Sequence, residues 1–572
     1  MYGNESLPSI VLRYGCKAPQ ENVDIVADQA RLAHRYRNKL VEIELDRRAR
    51  VEQAVRAYDP ALPDLEADID EIAEELAGLR SEIRRQNSQQ HSKRAEGADR
   101  ERAADLRASL KAKRAERKER RAVAFADGSL RATLDKIDAA SRAQIKQARA
   151  DSGLYWGNYL IVEQAMSKAG KGRPPRFRRW DGSAHLAVQF QGGLSVDGAF
   201  GGRDRRMCIE PLVEETGWTM AHLRIASDGR DPVMTSFRVK VHRAIPRDAA
   251  IKWAHLVCTP IGPRREWSLQ LVVSRADGWQ KDDLAQTGTV GVDLGWRLLP
   301  KDGGLRVAYA VGSDGREEEL VLPLDDVGRW QKADDLRSIR DRHFNTCRDR
   351  LADWLAEYRD TLPHWLRERA PSIQQWRSQA RLAALCLAWR EQRFKGDEWV
   401  FDELAWGDRP DHVGGLEHWR RHDKHLWCWE SSQRAKAVAW RRDLYRCFVA
   451  RLSRRYHTAH IEDCNWKDIS RHLPAEEDTD DTAARLYRHV AAPGTLAQMI
   501  EQRFAATLRV NPAYTTMVCH QCGSREEFDA ARHLRHQCQS CGAAWDQDFN
   551  AARNLLASGQ VVAETPGSLD VA

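Results

Sequence analysis

The sequence lacks any uninterrupted apolar run close to the ~18 residues that a membrane-spanning helix needs, and its mean hydropathy is −0.64. The opening stretch MYGNESLPSIVLRYG also lacks the charged and then apolar leader, with a small-residue cleavage site, that marks a secreted chain. These absences argue against a membrane-embedded or secreted protein. They predict a soluble, cytoplasmic protein with no membrane partner.

The chain also lacks a disulfide framework. Of its 12 cysteines, eight stand singly, and the other four form two Cys-x-x-Cys pairs near the end of the sequence. This usage fits a reducing compartment and one metal site. The spacing predicts a tetrahedral zinc ion, and four thiolates leave no open coordination position, so the zinc is expected to be structural. The predicted zinc ligands are Cys519, Cys522, Cys538 and Cys541.

Charge of one sign does not dominate, because 91 Lys and Arg residues face 84 Asp and Glu residues, for a net charge of +7. This balance permits a polyanionic partner without establishing one. Two stretches are locally basic. KAKRAERKERR (111–121) is either a solvated helix face or a phosphate-binding surface. GKGRPPRFRRWDG (170–182) is either an ordinary basic linker or a clamp for a nucleic-acid backbone. The candidate nucleic-acid-binding residues are Lys111, Lys113, Arg114, Arg117, Lys118, Arg173, Arg176, Arg178 and Arg179.

The hydrophobic periodicity divides the first half of the chain. Residues 7–15 predict a strand, and helical spacing over 21–58 predicts a long helix. Apolar residues from Leu65 to Ile83 alternate at steps of four and three, a heptad seam that predicts a protruding antiparallel hairpin with the helix carrying 111–121. The spacing of apolar residues then changes to every second residue, which is typical of strands. This change predicts a small β-barrel with the helical region inserted into it. The further barrel strands are expected at 184–190, 235–241, 254–260 and 267–273.

The second half predicts an α/β arrangement. An antiparallel meander is expected from strands at 289–295, 305–312 and 318–323, and a fourth strand at 456–463. Thr495 and Gln498 occupy the positions of a capping box at the start of a later helix. Long helices are expected over 331–360, 371–392 and 431–455.

Three carboxylates stand at the ends of separate predicted elements. Asp293 lies in the first meander strand, Glu462 ends the fourth strand, and Asp548 begins the helix after the second cysteine pair. Each alone is equally well explained as a turn residue or a helix cap. Together they match the requirement of an RNase H-type site, which gathers scattered carboxylates to hold two Mg²⁺ ions for phosphodiester chemistry.

Several motifs carry a family resemblance. VNPAYTTMVCHQCG (510–523), CQSCG (538–542) and DQDFNAARNLL (546–556) resemble the RuvC and zinc-ribbon signature of TnpB transposon nucleases and type V CRISPR effectors. GVDLGWR (291–297) and HIEDCN (460–465) are similar to the first two RuvC motifs. The resemblance implies that Asp293, Glu462 and Asp548 are the catalytic acids, and that Asp463 and Asp546 support or cap them.

Further stretches, such as YWGNYLIVEQAMSKA (155–169) and RRWDGSAHLAVQFQ (178–191), resemble the compact type V-M CRISPR effectors. The implied fold is a multidomain α+β chain: an OB-like wedge β-barrel with an inserted helical recognition lobe, then an RNase H-like RuvC α/β domain with an inserted zinc ribbon. The implied boundaries are 1–18 and 173–286 for the barrel, 19–172 for the lobe, 287–510 for RuvC motifs I and II, 511–545 for the ribbon, 546–560 for the third motif and 561–572 for a disordered tail.

The resemblance also implies a function. The expected protein binds a CRISPR guide RNA as a monomeric ribonucleoprotein and associates with the prokaryotic nucleoid through target DNA. It would bind double-stranded DNA beside a short flanking motif, form an R-loop and block transcription with little or no cleavage. The RuvC site is then available for processing precursor guide RNA. The alternatives are an Mg²⁺-dependent RNA-guided DNA endonuclease, of type V or TnpB-like, and a guide-independent zinc-ribbon DNA-binding protein.

Overall fold

The computed structural model describes most of the chain, and helices and strands are mixed along it, which confirms the α+β class. It divides into two compact units, Met1–Pro260 with Glu266–Gly278, and Ile261–Arg265 with Trp279–Ala572. None of the described helices combines the length and apolar character needed to cross a membrane. The described residues are 9–89, 97–169, 174–202, 204–212, 214, 216–275, 284–300, 303–393, 415–464, 466, 486–526, 528 and 533–564.

The first unit combines a sheet with a helical segment that lies between its first two strands in the sequence. Its strands are β1 (Ser9–Cys16), β2 (Ala184–Ser195), β3 (Met207–Ile209), β4 (Gly217–Asp228), β5 (Asp231–Val241), β6 (Ala249–Ile261) and β7 (Arg264–Arg275). Its helices are α1 (Val23–Tyr58), α2 (Leu62–Gln89), α3 (Gly97–Ala126), α4 (Gly128–Asp151), α5 (Trp156–Ala169) and α6 (Val196–Phe200).

The seven strands form one sheet in the order β2-β6-β7-β1-β5-β4-β3. Apolar side chains alternate with polar ones along them, and the buried face holds Leu12, Phe190, Leu223 and Phe237 in a shared core. The pairing order is linear, so the predicted closed barrel is not found among the described residues. Strand β3 is only 3 residues long and pairs with β4, which leaves it and β2 as the two edges.

Helices α2 and α3 form the predicted antiparallel hairpin. Leu65, Ile69 and Leu76 of the heptad seam are buried against Ala103 and Leu110, so the seam prediction is confirmed. The contact is narrow, as expected for two helices that bury only a seam of apolar side chains and leave their other faces to solvent.

The second unit begins with an antiparallel meander. Its strands are β8 (Thr289–Leu298), β9 (Leu305–Gly312), β10 (Glu317–Leu322), β11 (Thr458–Glu462), β12 (Ala506–Val510), β13 (Arg535–Gln537) and β14 (Ala544–Asp546). Its helices are α7 (Leu324–Glu357), α8 (His364–Arg367), α9 (Ala370–Ile373), α10 (Gln379–Arg393), α11 (Gly415–Arg455), α12 (Pro493–Arg503) and α13 (Gln547–Glu564).

Five of these strands form a mixed sheet in the order β10-β9-β8-β11-β12. Strands β8, β9 and β10 are antiparallel, as the meander prediction required, and β11 runs parallel to β8 and β12. One sheet face buries Val290, Val292 and Ile461 against Tyr445 of α11 and Ile500 of α12. The opposite face carries α13.

Several details differ from the sequence predictions. The single helix expected over 371–392 is instead α9 and α10, with a break between them, and the helix expected from 431 begins at Gly415. The prediction of a capping box at Thr495 and Gln498 is wrong. Helix α12 begins at Pro493, after Ala492, whose backbone lies in the left-handed region, and no side chain caps the helix. Proline at the first helical position presets the helical φ angle, so the start shifts two residues upstream of Thr495. Helix α13 continues to Glu564, so part of the predicted tail is helical, and 565–572 lie outside the described residues.

A carboxylate pocket, a cysteine cluster and basic surfaces

The structure brings the three predicted acids to one face of the five-stranded sheet, at its neighbouring interior strands β8 and β11. Strand β11 pairs in parallel with β8 so that Ile461 faces Val292, which places the next residues, Glu462 and Asp293, side by side. Side chains alternate along a strand, and Val292 and Ile461 point into the core, so both acids point to the other face. Helix α13 covers that face and brings Asp548 in its first turn.

A close approach of α13 to β8 makes this geometry possible. A Cβ atom on Gly291 would lie 2.1 Å from the carbonyl oxygen of Ala552 and 2.8 Å from the backbone nitrogen of Leu556. On β11, the ring of His460 is hydrogen-bonded to the carbonyl oxygen of Leu556 at 3.2 Å. The two strands thus hold the helix from positions two residues before Asp293 and Glu462.

Burial and repulsion perturb two of the acids. Asp293 is 8% exposed, and burial, followed by the charges of Glu462 and Asp548, raises its pKa well above the usual range. Burial also raises the pKa of Glu462, although Glu462 accepts hydrogen bonds from Thr515 at 3.2 Å and Cys464 at 3.5 Å. Burial therefore disfavours the charged form of both acids.

The third acid faces cations. Arg306 of β9 donates from Nη1 to Oδ2 of Asp548 at 2.9 Å and to both oxygens of Asp546 at 2.9 and 3.0 Å. Nε of Arg297 lies 3.5 Å from the other oxygen of Asp548. Asp546 also accepts a hydrogen bond from the backbone N–H of Asp548 at 2.9 Å, which gives it the capping position expected of it. Asp463 lies 3.3 Å from Nη1 of Arg509.

The donor set partly fits a hard divalent cation. Oxygen ligands suit Mg²⁺, and a cation would relieve the repulsion between Asp293 and Glu462. Among the described residues, however, the four cysteines are the sole group that brings three or more potential ligand atoms within 4.8 Å of one another. In this arrangement, therefore, Asp548 is engaged by arginines and does not complete a compact set of oxygen ligands.

The four predicted zinc ligands do form a compact cluster. The Sγ atoms of Cys519 and Cys541 lie 3.7 Å apart, and those of Cys522 and Cys538 lie 3.6 Å apart. Four sulfurs at ~2.3 Å from a tetrahedral zinc ion would stand about 3.8 Å from one another. The cluster therefore fits a structural zinc ion. Each pair turns at a glycine with positive φ, 75° at Gly523 and 76° at Gly542, where only glycine is unstrained.

Helix α13 also joins the cysteine cluster to the carboxylate pocket. Asn550, which is fully buried, donates to the carbonyl oxygen of Val518 at 2.7 Å and accepts from the backbone N–H of His520 at 2.9 Å. Asn554, one turn later, donates to the carbonyl oxygens of Thr515 and Val518 at 2.8 and 2.7 Å. The helix that carries Asp548 therefore clamps the backbone around Cys519.

Part of the basic stretch on α3 forms ion pairs with α2, α1 and the residue that follows α1. Lys113 pairs with Asp68 at 2.5 Å, while Arg120 and Arg121 of the same stretch pair with Asp59 and Glu52. Lys111, Arg114 and Lys118 are exposed and Arg117 is half-buried. Lys111, Arg114, Arg117 and Lys118 remain candidate phosphate-binding residues.

The loop before β2 presents a different kind of surface. Arg176, Arg178 and Arg179 are exposed, and so are Phe177 and Trp180, at 59% and 38%. Helix α1 fixes the loop backbone, because its Arg37 donates to the carbonyl oxygen of Arg176 at 3.2 Å and its Asn38 to that of Arg178 at 2.9 Å. Arg173 lies outside the described residues. Exposed cations and rings on a fixed backbone are the features of a single-strand binding surface.

Sequence reasoning missed Arg306, Asn550 and Asn554. Nothing marks Arg306 in advance, because it lies in the apolar strand β9 and two of its acidic partners, Asp546 and Asp548, lie about 240 residues away. The asparagines carry a signal, since two asparagines four residues apart on one helix face are disfavoured unless their side chains bind the backbone.

Comparison with known proteins places these features in a family. A protein-family model, described as "Cas12f1-like, TNB domain", matches residues 494–555 of this chain. This segment runs from α12 to α13 and includes the cysteine cluster. Among solved structures, a complex of Cas12f1 with sgRNA and target DNA matches 96% of this chain and 98% of that chain at 10% identity, with a TM-score of 0.32.

Two curated relatives extend the match along the chain. The CRISPR-associated DNA-binding protein Cas12m of Allomeiothermus silvanus is 32% identical over 98% of this chain and 99% of the relative. The protein of the same name from Thermanaerosceptrum fracticalcis is 33% identical over 73% of this chain and 72% of the relative. These matches confirm the resemblance to type V-M CRISPR effectors, and the chain belongs to the Cas12m family.

Proposed function

We propose that this protein is a CRISPR RNA-guided effector. In this proposal it binds double-stranded DNA beside a short flanking motif, forms an R-loop and blocks transcription, with little or no cleavage of the target. The main support for this proposal is the similarity to a relative named as a DNA-binding protein, which is 32% identical over almost the whole of both chains. Guide pairing would select the sequence, while the protein contacts backbone, duplex shape and the flanking motif.

The first unit supplies the proposed surfaces for guide RNA and flanking duplex. The seven-stranded sheet serves as the wedge, and α1–α5 serve as the recognition lobe. The fixed loop with Arg176, Arg178 and Arg179 would contact phosphates, while Phe177 and Trp180 offer ring faces to unpaired bases. The exposed lysines and arginines of α3 add further phosphate contacts. In this proposal the protein is a monomeric ribonucleoprotein that meets the nucleoid through target DNA.

The second unit supplies the proposed RuvC domain. Asp293, Glu462 and Asp548 are its proposed acids, and residues 511–545 form a zinc ribbon that contacts target nucleic acid. Mg²⁺ held by such acids supplies charge stabilisation for phosphodiester cleavage. The convergence of the three acids on one face of the sheet favours retained chemistry, with precursor guide RNA as the first candidate substrate. An Mg²⁺-dependent RNA-guided DNA endonuclease is the second candidate.

An electrophoretic mobility shift assay tests the guided binding. Purified protein is loaded with a guide RNA and mixed with a duplex that carries either the matching or a scrambled target beside a library of flanking sequences. We expect a shift with the matching target only, from one set of flanking sequences, and weaker binding at higher salt because phosphate contacts release counterions. Equal affinity for matched and scrambled targets contradicts the proposal and supports a guide-independent DNA-binding protein.

A further inference from the structure

Arg306 is unusual among the arginines near the proposed RuvC acids because it is almost completely buried. Its side chain is 7% exposed and contacts three carboxylates, those of Glu319 at 3.0 Å and of Asp546 and Asp548 at 2.9 Å. An arginine keeps its charge in a protein interior, and its planar group of donors matches carboxylates. The guanidinium is therefore a fixed cation inside the pocket.

The contacts of Asp548 leave neither of its oxygens without a cationic neighbour. Oδ2 accepts from Arg306 at 2.9 Å, and Oδ1 lies 3.5 Å from Nε of Arg297. A divalent ion also needs these oxygens, and a metal ligand cannot point the same lone pairs at a guanidinium. Asp293 has Arg297 as a neighbouring cation too, but it also has the carboxylates of Glu462 and Asp548 around it. Glu462 accepts hydrogen bonds from the neutral side chains of Cys464 and Thr515.

We propose that Arg306 acts as a built-in competitor of divalent metal: its guanidinium stands where a cation would neutralise Asp548, and it must withdraw before Asp548 can become a ligand. This inference rests on the proposed assignment of the three acids as metal ligands. It gives a physical reason for a complete set of RuvC acids in a protein that acts mainly by binding DNA. Arg306 is in this sense a positioning residue, because it acts through Asp548.

Manganese binding to the full-length, zinc-loaded protein without nucleic acid tests the proposal. Free Mn²⁺ is followed by electron paramagnetic resonance during titration of wild type and Arg306→Gln. We expect the variant to bind Mn²⁺ about tenfold or more tightly, in the range by which residues around a metal site alter its affinity. The gain should disappear in the double variant with Asp293→Asn. A folded Arg306→Gln protein with wild-type affinity overturns the proposal, and so does a gain that survives Asp293→Asn.

Two controls separate competition from lost stability. Arg340→Gln removes another buried arginine, with an 11% exposed side chain paired to Asp423 and Glu430, and should leave Mn²⁺ affinity unchanged. Arg306→Lys keeps a charge but loses the forked donor geometry, so its affinity should fall between those of wild type and Arg306→Gln. If Arg306→Gln fails to fold, a folded Arg306→Lys protein that binds Mn²⁺ no better than wild type overturns the proposal.

The manganese result is independent of guided DNA binding. Wild-type protein with matching and scrambled guides is scored by mobility shift in a separate experiment. Loss of guide dependence there contradicts the proposed function but leaves the Mn²⁺ comparison intact. Failure of the Mn²⁺ comparison, in turn, removes the role of Arg306 and leaves guided binding standing.

Discussion

At the residue scale, the carboxylate of Asp293 is destabilised by burial and by repulsion from its neighbours. Asp293 is buried beside Glu462, and its pKa is raised by burial and then by the neighbouring carboxylates. An acid whose pKa is raised in the folded state costs no stability below its ordinary value of ~3.9. As the pH rises above that value, the unfolded chain ionises first, so the folded state loses stability until the raised pKa is passed. Stability is thus given up at a proposed functional position.

Asp293→Asn should therefore raise the free energy of unfolding of the protein when it holds zinc and no Mg²⁺ is present. The increase should be larger at pH 8 than at pH 5.5. Denaturant unfolding across this pH range measures the effect. Asp314→Asn is the matched control of opposite sign, because the hydroxyl of Tyr456 donates to Asp314 at 2.6 Å and lowers its pKa. That variant should be less stable than wild type. An Asp293→Asn protein less stable than wild type at pH 8 refutes the predicted repulsion.

Some residues of the candidate site could be predicted from the sequence, and others could not. Asp293, Glu462 and Asp548 were identifiable because each lies in a short motif of a predicted strand or helix, and the structure brings them to one face of the sheet. Arg306 could not be identified, since its role depends on the folding of β9 against the start of α13. Long-range ion pairs of this kind leave no local pattern in a sequence.

At the element scale, the seating of α13 on the sheet connects the pocket to the cysteine cluster. Gly291→Ala would place a methyl group against the backbone of α13, and overpacking of this kind costs about 1–3 kcal/mol. Gly295→Ala on the same strand is the control, because a Cβ there meets nothing within 4 Å. Thermal unfolding should show a lower Tm for Gly291→Ala alone. Equal stability of the two variants would mean that α13 is not seated as described.

The cysteine cluster gives a second test at this scale. Wild-type protein should contain one zinc ion per chain, and Cys519→Ser should lose it, because three thiolates and a hydroxyl hold zinc poorly. Cys447→Ser removes an exposed lone cysteine and should keep the metal. Inductively coupled plasma mass spectrometry measures the zinc content. A well-folded wild-type protein without zinc rules out the structural site.

Elements with strong periodicity were predictable, and weaker ones were not. The heptad seam of α2 and the meander of β8, β9 and β10 follow from hydrophobic spacing alone. Strand β4 was missed although its burial alternates regularly, because the apolar residues Trp218 and Met220 lie on its outer face and interrupt the alternation of apolar and polar residues. The open edge of the sheet at β3 depends on strand pairing, which periodicity does not encode.

At the scale of the whole molecule, binding and chemistry are assigned to different parts of the chain. In the proposed function, guided DNA binding depends on base pairing and on basic surfaces such as the fixed loop of the first unit. Phosphodiester chemistry would depend on the carboxylate pocket of the second unit. Replacement of Asp293 should therefore remove any metal-dependent cleavage of RNA or DNA while guided binding persists.

The most direct test is one incubation of guide-loaded protein with target plasmid at physiological Mg²⁺, scored for both binding and cleavage. Wild type and Asp293→Ala are each supplied with mature guide RNA, so that guide processing does not affect the result. We expect tight, guide-dependent binding by both proteins and an uncut plasmid. Efficient cutting by wild type would contradict the non-cleaving function and support the endonuclease alternative. Loss of binding by Asp293→Ala would contradict the separation of binding from the carboxylates.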